Sequence, residues 1–229
     1  MQPFTRLDAP ACPLPLANLD TDQLIPARFM KEPRKAGYGS FLLYDLRRNA
    51  EGVLRPGFIL NRPHAGSART LVARRNFGAG SSREAAVYAL VDFGFRCVIA
   101  PSFGDIFAAN AVNNGLLPAT VAEADAEKIL SILGDDISPV IVDLDMLTIV
   151  AGGCKFTFSI IDTWRTKLLN GWDDITLTQR HQQEIGSFAH ERAKRLPWTV
   201  PRRPSETPPN AKRQDSRTLI PASNRGKST

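Results

Sequence analysis

Between residues 70 and 121, short apolar runs alternate with helix-type patterns, and few folds accommodate that order. Short apolar runs bounded by turn-forming residues indicate buried strands, whereas apolar residues spaced three or four apart among good helix formers indicate helices. The segments in order are ARTLVARR, REAAVYALVDFGF, CVIAPSF, DIFAANAVNNG and LLPATV. Gly94 and Gly115 stand where the two helices should end. The order strand, helix, strand, helix, strand predicts an α/β fold with a parallel-sheet core flanked by helices.

The remaining segments carry weaker patterns. Residues 14–30 predict two short apolar segments joined by a polar turn. Residues 31–66 are rich in Gly, Pro, Lys and Arg, and predict a long loop or flap. Residues 140–162 (VIVDLDMLTIVAGGCKFTFSIID) predict two strands joined across Ala151–Gly153, a β-hairpin. Two helices are predicted near the end, in WRTKLLNGW and TQRHQQEIGSFAHERAKRL.

The net charge of +6 is confined to the end of the chain. Residues 195–229 hold eight Lys or Arg and two Asp or Glu, which leaves 21 of each sign in residues 1–194. This end also contains six of the 17 prolines and almost no apolar periodicity, so we expect a disordered basic tail. A neutral body is not the basic face of a duplex-binding protein, and nucleic acid is not the expected partner. RNA binding through the tail is an alternative hypothesis.

Neither a membrane protein nor a metalloprotein is indicated. No apolar run approaches the roughly 20 residues that span a bilayer, and the N-terminus lacks the basic start and apolar stretch of a secretory signal. A cytoplasmic protein without membrane contact is therefore expected. The three cysteines, Cys12, Cys97 and Cys154, are far apart, and the three histidines form no helical pair. This spacing predicts no disulfide framework, no zinc site and no iron–sulfur site on this chain.

The segment from Asn76 to Glu84, NFGAGSSRE, carries the strongest chemical signal. Its two glycines let the backbone approach a ligand, and the start of the predicted helix offers free N–H groups and the positive end of a dipole. Arg83 adds a planar fork that grips a carboxylate. These features favour an anion, but Ser81 and Glu84 also fit a capping box without any function. The segment lacks the third glycine of a dinucleotide site, the Gly-Lys-Ser/Thr of a P-loop and the G-x-S-x-G of a serine hydrolase.

A second polar cluster is Asn18-Leu19-Asp20-Thr21-Asp22. Two acids flanking a threonine are typical of an Asx-type turn or a helix start, and a functional role is the alternative.

Three motifs in register, NLDTDQLIP, NFGAGSSRE and DFGFRCVIAPSFGDIFAANAVNNGLLP, resemble the small subunit of 3-isopropylmalate dehydratase, the swivelling domain of the aconitase superfamily. The resemblance covers roughly residues 12–190. It implies a swivelling β/β/α domain over residues 1–194. It also implies a separate large subunit with a [4Fe–4S] cluster and a small dicarboxylic-acid substrate.

Residue by residue, the resemblance implies that Ser81 is the base that abstracts the substrate proton. Ser82, Arg83, Asp22 and the loop backbone at Gly80 are implied to bind the substrate. The reaction implied is the dehydration and rehydration that interconverts 2- and 3-isopropylmalate in leucine biosynthesis.

The flap and two departures from the family pattern leave alternatives open. Residues 31–66 resemble the specificity segment of the family, and its apolar residues Phe41 to Tyr44 suit either an isopropyl group or ordinary packing. Ala79 and Ala85 stand where the family has Cys and His. A paralogue for methylmalate, citraconate or homoaconitate, and a non-catalytic regulatory module of the same fold, are the alternatives.

Overall fold

The structure, a computed structural model, describes residues 1–200 of the chain. The chain divides into two units, residues 1–182 and residues 183–229. The domain boundary predicted after residue 194 stays a prediction, since most of the tail predicted to be disordered lies outside the described residues.

The first unit contains a single seven-stranded sheet. Its strands are β1 (Arg6–Leu14), β2 (Thr70–Ala73), β3 (Cys97–Ala100), β4 (Leu117–Thr120), β5 (Ser138–Asp143), β6 (Thr148–Ala151) and β7 (Cys154–Thr157). They lie in the order β4-β3-β2-β1-β5-β6-β7. The first four strands run parallel, and β5, β6 and β7 continue the sheet from β1 with antiparallel pairing. The parallel pairing of β2, β3 and β4 confirms the α/β prediction for this part of the chain.

The sheet curls until its two ends meet. Thr120 at the end of β4 and Ser159 just after β7 exchange two backbone hydrogen bonds. The N–H of Thr120 lies 3.1 Å from the carbonyl oxygen of Ser159, and the reverse bond measures 2.8 Å. This closure agrees with the β/β/α architecture that the family resemblance implied.

Two apolar clusters cover the two faces of the sheet, because successive residues of a strand point to opposite sides. Cys12, Leu71 and Val98 belong to one cluster, whereas Ala11 and Val72 belong to the other. Burial on both faces explains why β2 and β3, whose residues are all buried, lack the polar alternation of a half-exposed strand.

Eight α-helices lie between and after the strands of the described residues. They are α1 (Thr21–Leu24), α2 (Tyr44–Arg47), α3 (Glu84–Phe93), α4 (Asp105–Asn113), α5 (Glu123–Leu133), α6 (Asp162–Asn170), α7 (Asp174–Gln179) and α8 (Gln182–Arg195). The predicted helices of the α/β core are α3 and α4, and the two predicted near the end are α6 and α8, whereas α7 between them was not predicted. Gly94 ends α3 at φ +118°, and Gly115 follows α4 at φ +75°. Both glycine stops are thereby confirmed.

The region predicted as one hairpin contains one strand more than predicted. β6 and β7 are joined across Ala151–Gly153 as predicted, but the apolar run before them is two strands, β5 and β6. Leu147 turns the chain with φ +53°, and the carboxylate of Asp143 accepts a hydrogen bond of 2.8 Å from the N–H of Met146. No glycine or proline marks this turn, so the sequence pattern did not show it.

Residues 31–66 form a long irregular segment, as predicted, with short 3-10 turns and the single turn of α2. Arg34 pairs with Asp92 of α3, and the same carboxylate accepts a 2.8 Å hydrogen bond from the N–H of Tyr38. The segment is thus attached to α3 through Asp92.

In the second unit, α8 extends to Arg195 and buries none of its residues. Its Phe188 is 66% exposed. Among residues 1–200, no helix combines the length and apolar character that a membrane span requires.

Candidate active site

Three chain segments meet at the carboxyl ends of β1, β2 and β3. The central one, residues 76–83, is called the Gly-Ser loop here. Residues 18–22 lie on one side of it and residues 102–104 on the other, each joined to it by a parallel bridge. The N–H of Phe77, for example, donates to the carbonyl of Ser102 at 3.0 Å. The loop therefore continues the sheet beyond β2 and is fixed from both sides.

Two glycines allow this close packing. Gly78 has φ +71°, and a Cβ atom built there would lie 2.2 Å from the ring of Phe107. A Cβ on Gly104 would lie 2.6 Å from the carbonyl oxygen of Gly78. Such distances exclude a side chain, so both glycines are needed for the loop to lie against the first turn of α4.

The residues proposed for chemistry lie on the open side of this loop. Gly80, Ser81 and Ser82 are all exposed. Neither serine hydroxyl forms a hydrogen bond with another residue of the described 1–200 range. A depression of about 260 Å³ adjoins Ser81 and is lined by Gly78–Ser81 and Gly104–Phe107. The hydroxyl of Ser81 is consequently accessible to a molecule that enters this depression.

Arg83 and Asp22 form an ion pair at the edge of the loop. The Arg83 side chain is only 16% exposed, whereas that of Asp22 is 53% exposed. One guanidinium nitrogen, Nη1, contacts the Asp22 carboxylate. Since a guanidinium carries five N–H donors, the others stay available to a second carboxylate. The structure thus brings Asp22 and Arg83 together beside the loop that carries Ser81 and Ser82.

The capping box, which was the alternative interpretation of Ser81 and Glu84, is wrong. The N-cap of α3 is Arg83, without a side-chain cap, and the Glu84 carboxylate accepts a 2.9 Å hydrogen bond from the side chain of Asn114 instead. The Ser81 hydroxyl is therefore not consumed by helix capping. The turn-or-helix-start interpretation of residues 18–22 is confirmed, because Asp20 caps α1 in a capping box with Gln23.

Two features at the site were not singled out from the sequence. Thr21 donates its hydroxyl to the carbonyl of Ser81 at 2.9 Å. The first turn of α4 lines the Ser81 depression and brings the carboxylate of Asp105 to it. That negative charge disfavours an anion at this end, so a substrate carboxylate is better placed toward Arg83. The available signal was topological: the ends of neighbouring parallel strands meet at one edge of a sheet, as in other α/β proteins.

The cysteines do not form a metal site at this edge. Cys12 and Cys97 are buried, and Cys154 is exposed. Burial raises the pKa of Cys12 to about 12, and it also raises the pKa of Cys97. Within residues 1–200, no group of three or more potential metal ligands was found.

The apolar flap residues differ in exposure. Leu42 and Leu43 are fully buried in the core, so they are packing residues. Phe41 and Tyr44 are partly exposed, and both rings contact that of Phe29, with centroid distances of 4.4 and 4.7 Å. Of the four apolar flap residues Phe41 to Tyr44, only Phe41 and Tyr44 therefore expose part of their side chains.

Comparison with known proteins places these motifs in a family. The aconitase C-terminal domain family matches residues 1–124. The 3-isopropylmalate dehydratase small subunit of Phenylobacterium zucineum is 45% identical over 86% of this chain and 98% of its own length. That of Bifidobacterium longum subsp. infantis is 39% identical over 99% of both chains. A crystal structure of 3-isopropylmalate dehydratase from Methanocaldococcus jannaschii matches with a TM-score of 0.58 and 24% identity, covering 80% of this chain and 98% of that one. At that identity, the structural match supports the fold.

Proposed function

The chain belongs to the family of 3-isopropylmalate dehydratase small subunits, within the aconitase superfamily, and on this premise we propose how its residues act. It is the small subunit of a hydro-lyase that interconverts 2- and 3-isopropylmalate in leucine biosynthesis. The relatives named 3-isopropylmalate dehydratase small subunit match this chain over nearly their whole length, so this chain corresponds to the whole small subunit of those enzymes.

Ser81 is the proposed base of the reaction. The observation that carries this proposal is an exposed hydroxyl without a hydrogen-bond partner among residues 1–200, beside a depression that admits a small molecule. The Ser81 oxygen takes the proton from the substrate carbon next to a carboxylate, and returns a proton to carbon in the reverse direction. A neutral serine hydroxyl is a weak base, so Ser81 has to take the proton as its alkoxide. Preorganised hydrogen-bond donors close by are needed to stabilise this anion.

The substrate carboxylate is held by the same loop. Ser82 offers a hydroxyl, Gly80 a backbone N–H, and Arg83 the guanidinium donors that Asp22 does not use. Asp22 fixes the guanidinium so that its plane does not have to be ordered when substrate binds, which lowers the entropic cost of binding. Charge-assisted hydrogen bonds of this type contribute about 1.5–3 kcal/mol each.

A large subunit completes the proposed site. The name small subunit, carried by the relatives, implies such a partner. We assign a [4Fe–4S] cluster to that partner, where it would act as a Lewis acid on the substrate hydroxyl and carboxylate. The described residues of this chain do not fit a cluster, since two of the three thiols are buried and the third lies in the β6–β7 hairpin. This chain therefore contributes the base and the carboxylate donors.

Reconstitution tests the proposal. The purified chain is mixed with its cluster-loaded large subunit, and the dehydration of 2-isopropylmalate is followed with each protein alone and with both together. We expect turnover only in the mixture. Citraconate, methylmalate and homoaconitate are compared at steady state in the same preparation. Faster turnover of one of these acids than of isopropylmalate would show that isopropylmalate is not the preferred substrate. A mixture that forms a complex but turns over no acid would favour a non-catalytic module.

A further inference from the structure

Thr21 is a buried residue that holds the backbone of the Gly-Ser loop at two points. It is only 2% exposed. Its N–H donates to the carbonyl of Ala79 at 2.9 Å, and its hydroxyl donates to the carbonyl of Ser81 at 2.9 Å. The carbonyl groups on either side of Gly80 are therefore both held toward Thr21.

This restraint also fixes the direction of two N–H groups. The described chain contains no cis peptide bond, and in a trans peptide the carbonyl and the N–H point in opposite directions. The Ala79 carbonyl shares its peptide unit with the N–H of Gly80, and the Ser81 carbonyl shares its unit with the N–H of Ser82. Both N–H groups consequently point away from the buried Thr21, toward the exposed side of the loop.

These two N–H groups are free to bind a ligand. Within residues 1–200, neither the N–H of Gly80 nor that of Ser82 donates to an acceptor. Gly80 has φ +99°, a conformation that lets two nearby peptide units turn their carbonyls to the same side. Fixed backbone N–H groups that converge on one place stabilise a developing anion without having to reorganise.

We propose that Thr21 is a positioning residue, which fixes the carbonyls of Ala79 and Ser81. It thereby directs the N–H groups of Gly80 and Ser82 at the substrate carboxylate, on which negative charge develops when the neighbouring carbon loses its proton. The inference rests on the proposed function of Ser81 and adds a residue that does not touch the substrate. The hydroxyl of Thr21, rather than its methyl group, is the part that matters, because it holds the peptide next to Ser81.

Substitutions at Thr21 in the reconstituted complex test this inference. Thr21→Val keeps the shape and removes the hydroxyl, whereas Thr21→Ser keeps the hydroxyl. Thr70→Val is the matched control, because Thr70 is a fully buried threonine of β2 whose hydroxyl has no partner among the described residues. Thr21→Cys is a second variant of similar size with a weaker donor, in case Thr21→Val does not fold.

The expected result is a loss of kcat in Thr21→Val that Thr21→Ser does not show. Thr21→Val should lower kcat about tenfold or more, as small displacements of preorganised groups do, with the affinity for the large subunit unchanged. Thr21→Ser should stay within about threefold of the wild type in kcat, and Thr70→Val should match the wild type. Wild-type kcat for Thr21→Val, or an equal loss for Thr21→Ser, would overturn the inference.

Ser81→Ala, assayed in the same preparation, separates this inference from the proposed function. Wild-type kcat for Ser81→Ala would refute the proposed base. An inactive Ser81→Ala together with an unaffected Thr21→Val would refute the role of Thr21 alone.

Discussion

The three cysteines differ in the water contact of their thiols, and this difference predicts their reactivity. Cys12 and Cys97 are buried in the sheet, whereas Cys154 is exposed in the β6–β7 hairpin. Desolvation raises the pKa of Cys12 to about 12, although the positive charge of Arg62 opposes the shift, and it also raises the pKa of Cys97. The thiolate, not the neutral thiol, is the nucleophile that attacks a thiol reagent. At pH 8 the native protein should therefore react at Cys154 alone, and at all three cysteines once unfolded.

Thiol titration with a chromogenic disulfide measures this directly. Cys154→Ser serves as the control and should show no rapidly reacting thiol in the native state. Rapid reaction at two or more sites of the native wild type would mean that the sheet opens readily, and the burial described for Cys12 and Cys97 would not hold in solution.

At the level of secondary structure, a buried lysine joins α4, α6 and α7. The Lys167 side chain of α6 is 5% exposed, and its ammonium contacts the side chains of Asn113 and Asp174. The hydrogen bond from Lys167 lowers the pKa of Asp174 below its usual value of 3.8. Asp174→Asn leaves the ammonium without its carboxylate, and we expect a loss of roughly 1–2 kcal/mol in the free energy of unfolding near neutral pH.

The pH dependence of this loss has a definite sign. A carboxylate whose pKa is lowered in the folded state stabilises the protein above its unfolded pKa, and this contribution disappears as the pH falls through the folded pKa. The difference between wild type and Asp174→Asn in urea unfolding should be constant from about pH 5 to 8 and shrink below about pH 4. Asp145→Asn, at an exposed aspartate of the β5–β6 turn, is the control. A difference in the free energy of unfolding that is as large at pH 3 as at pH 7 would contradict the pairing.

The sequence predicted the parallel core because its strands and helices obey local rules. Continuous apolar runs and glycine stops define β2 to β4 and their helices. β1 and α5 were not predicted: β1 contains two prolines, at Pro10 and Pro13, and α5 follows its strand after only two residues. The β5–β6 turn carries no glycine or proline. These elements depend on pairing with distant segments, which a local pattern does not reveal.

The residues of the site were predicted from local motifs, but the contacts between distant segments at the site were not. Family motifs identified Ser81, Ser82, Arg83, Asp22 and Gly80 as candidates, and the structure places all of them on or beside one loop. Their roles stay predictions. The local pattern Ser-x-x-Glu was misleading as a capping box. The helix begins at Glu84 itself, three residues after Ser81, so Ser81 does not occupy the N-cap position. The contact between Thr21 and the loop joins residues 60 positions apart, and only the fold reveals it.

For the molecule as a whole, the proposed role of Ser81 predicts that the large subunit binds the face that carries this residue. Ile106, in the first turn of α4, and Ile161, just before α6, are each 54% exposed on or near this face. Ile161 lines a groove of about 470 Å³ that shares Asp105 with the Ser81 depression. Exposed isoleucines next to an incomplete site are expected to be covered when the large subunit binds.

Serine substitutions of these isoleucines test this expectation by titration calorimetry with the large subunit. Ile106→Ser and Ile161→Ser should each weaken binding about tenfold, equivalent to roughly 1.4 kcal/mol, because apolar burial is lost. Ile175→Ser, at an isoleucine of α7 that is 68% exposed, should bind as the wild type does. If all three variants bound the large subunit with the affinity of the wild type, the large subunit would bind another face of this chain.

The central claim is that this chain provides the base for a reaction completed by another subunit. Its most direct test is the kcat of the Ser81→Ala complex with isopropylmalate, compared with Ser131→Ala, which changes an exposed serine of α5. We predict that Ser81→Ala lowers kcat by about a thousandfold or more with little change in KM, while Ser131→Ala equals the wild type. A Ser81→Ala complex that turns over isopropylmalate at the wild-type rate would contradict the claim.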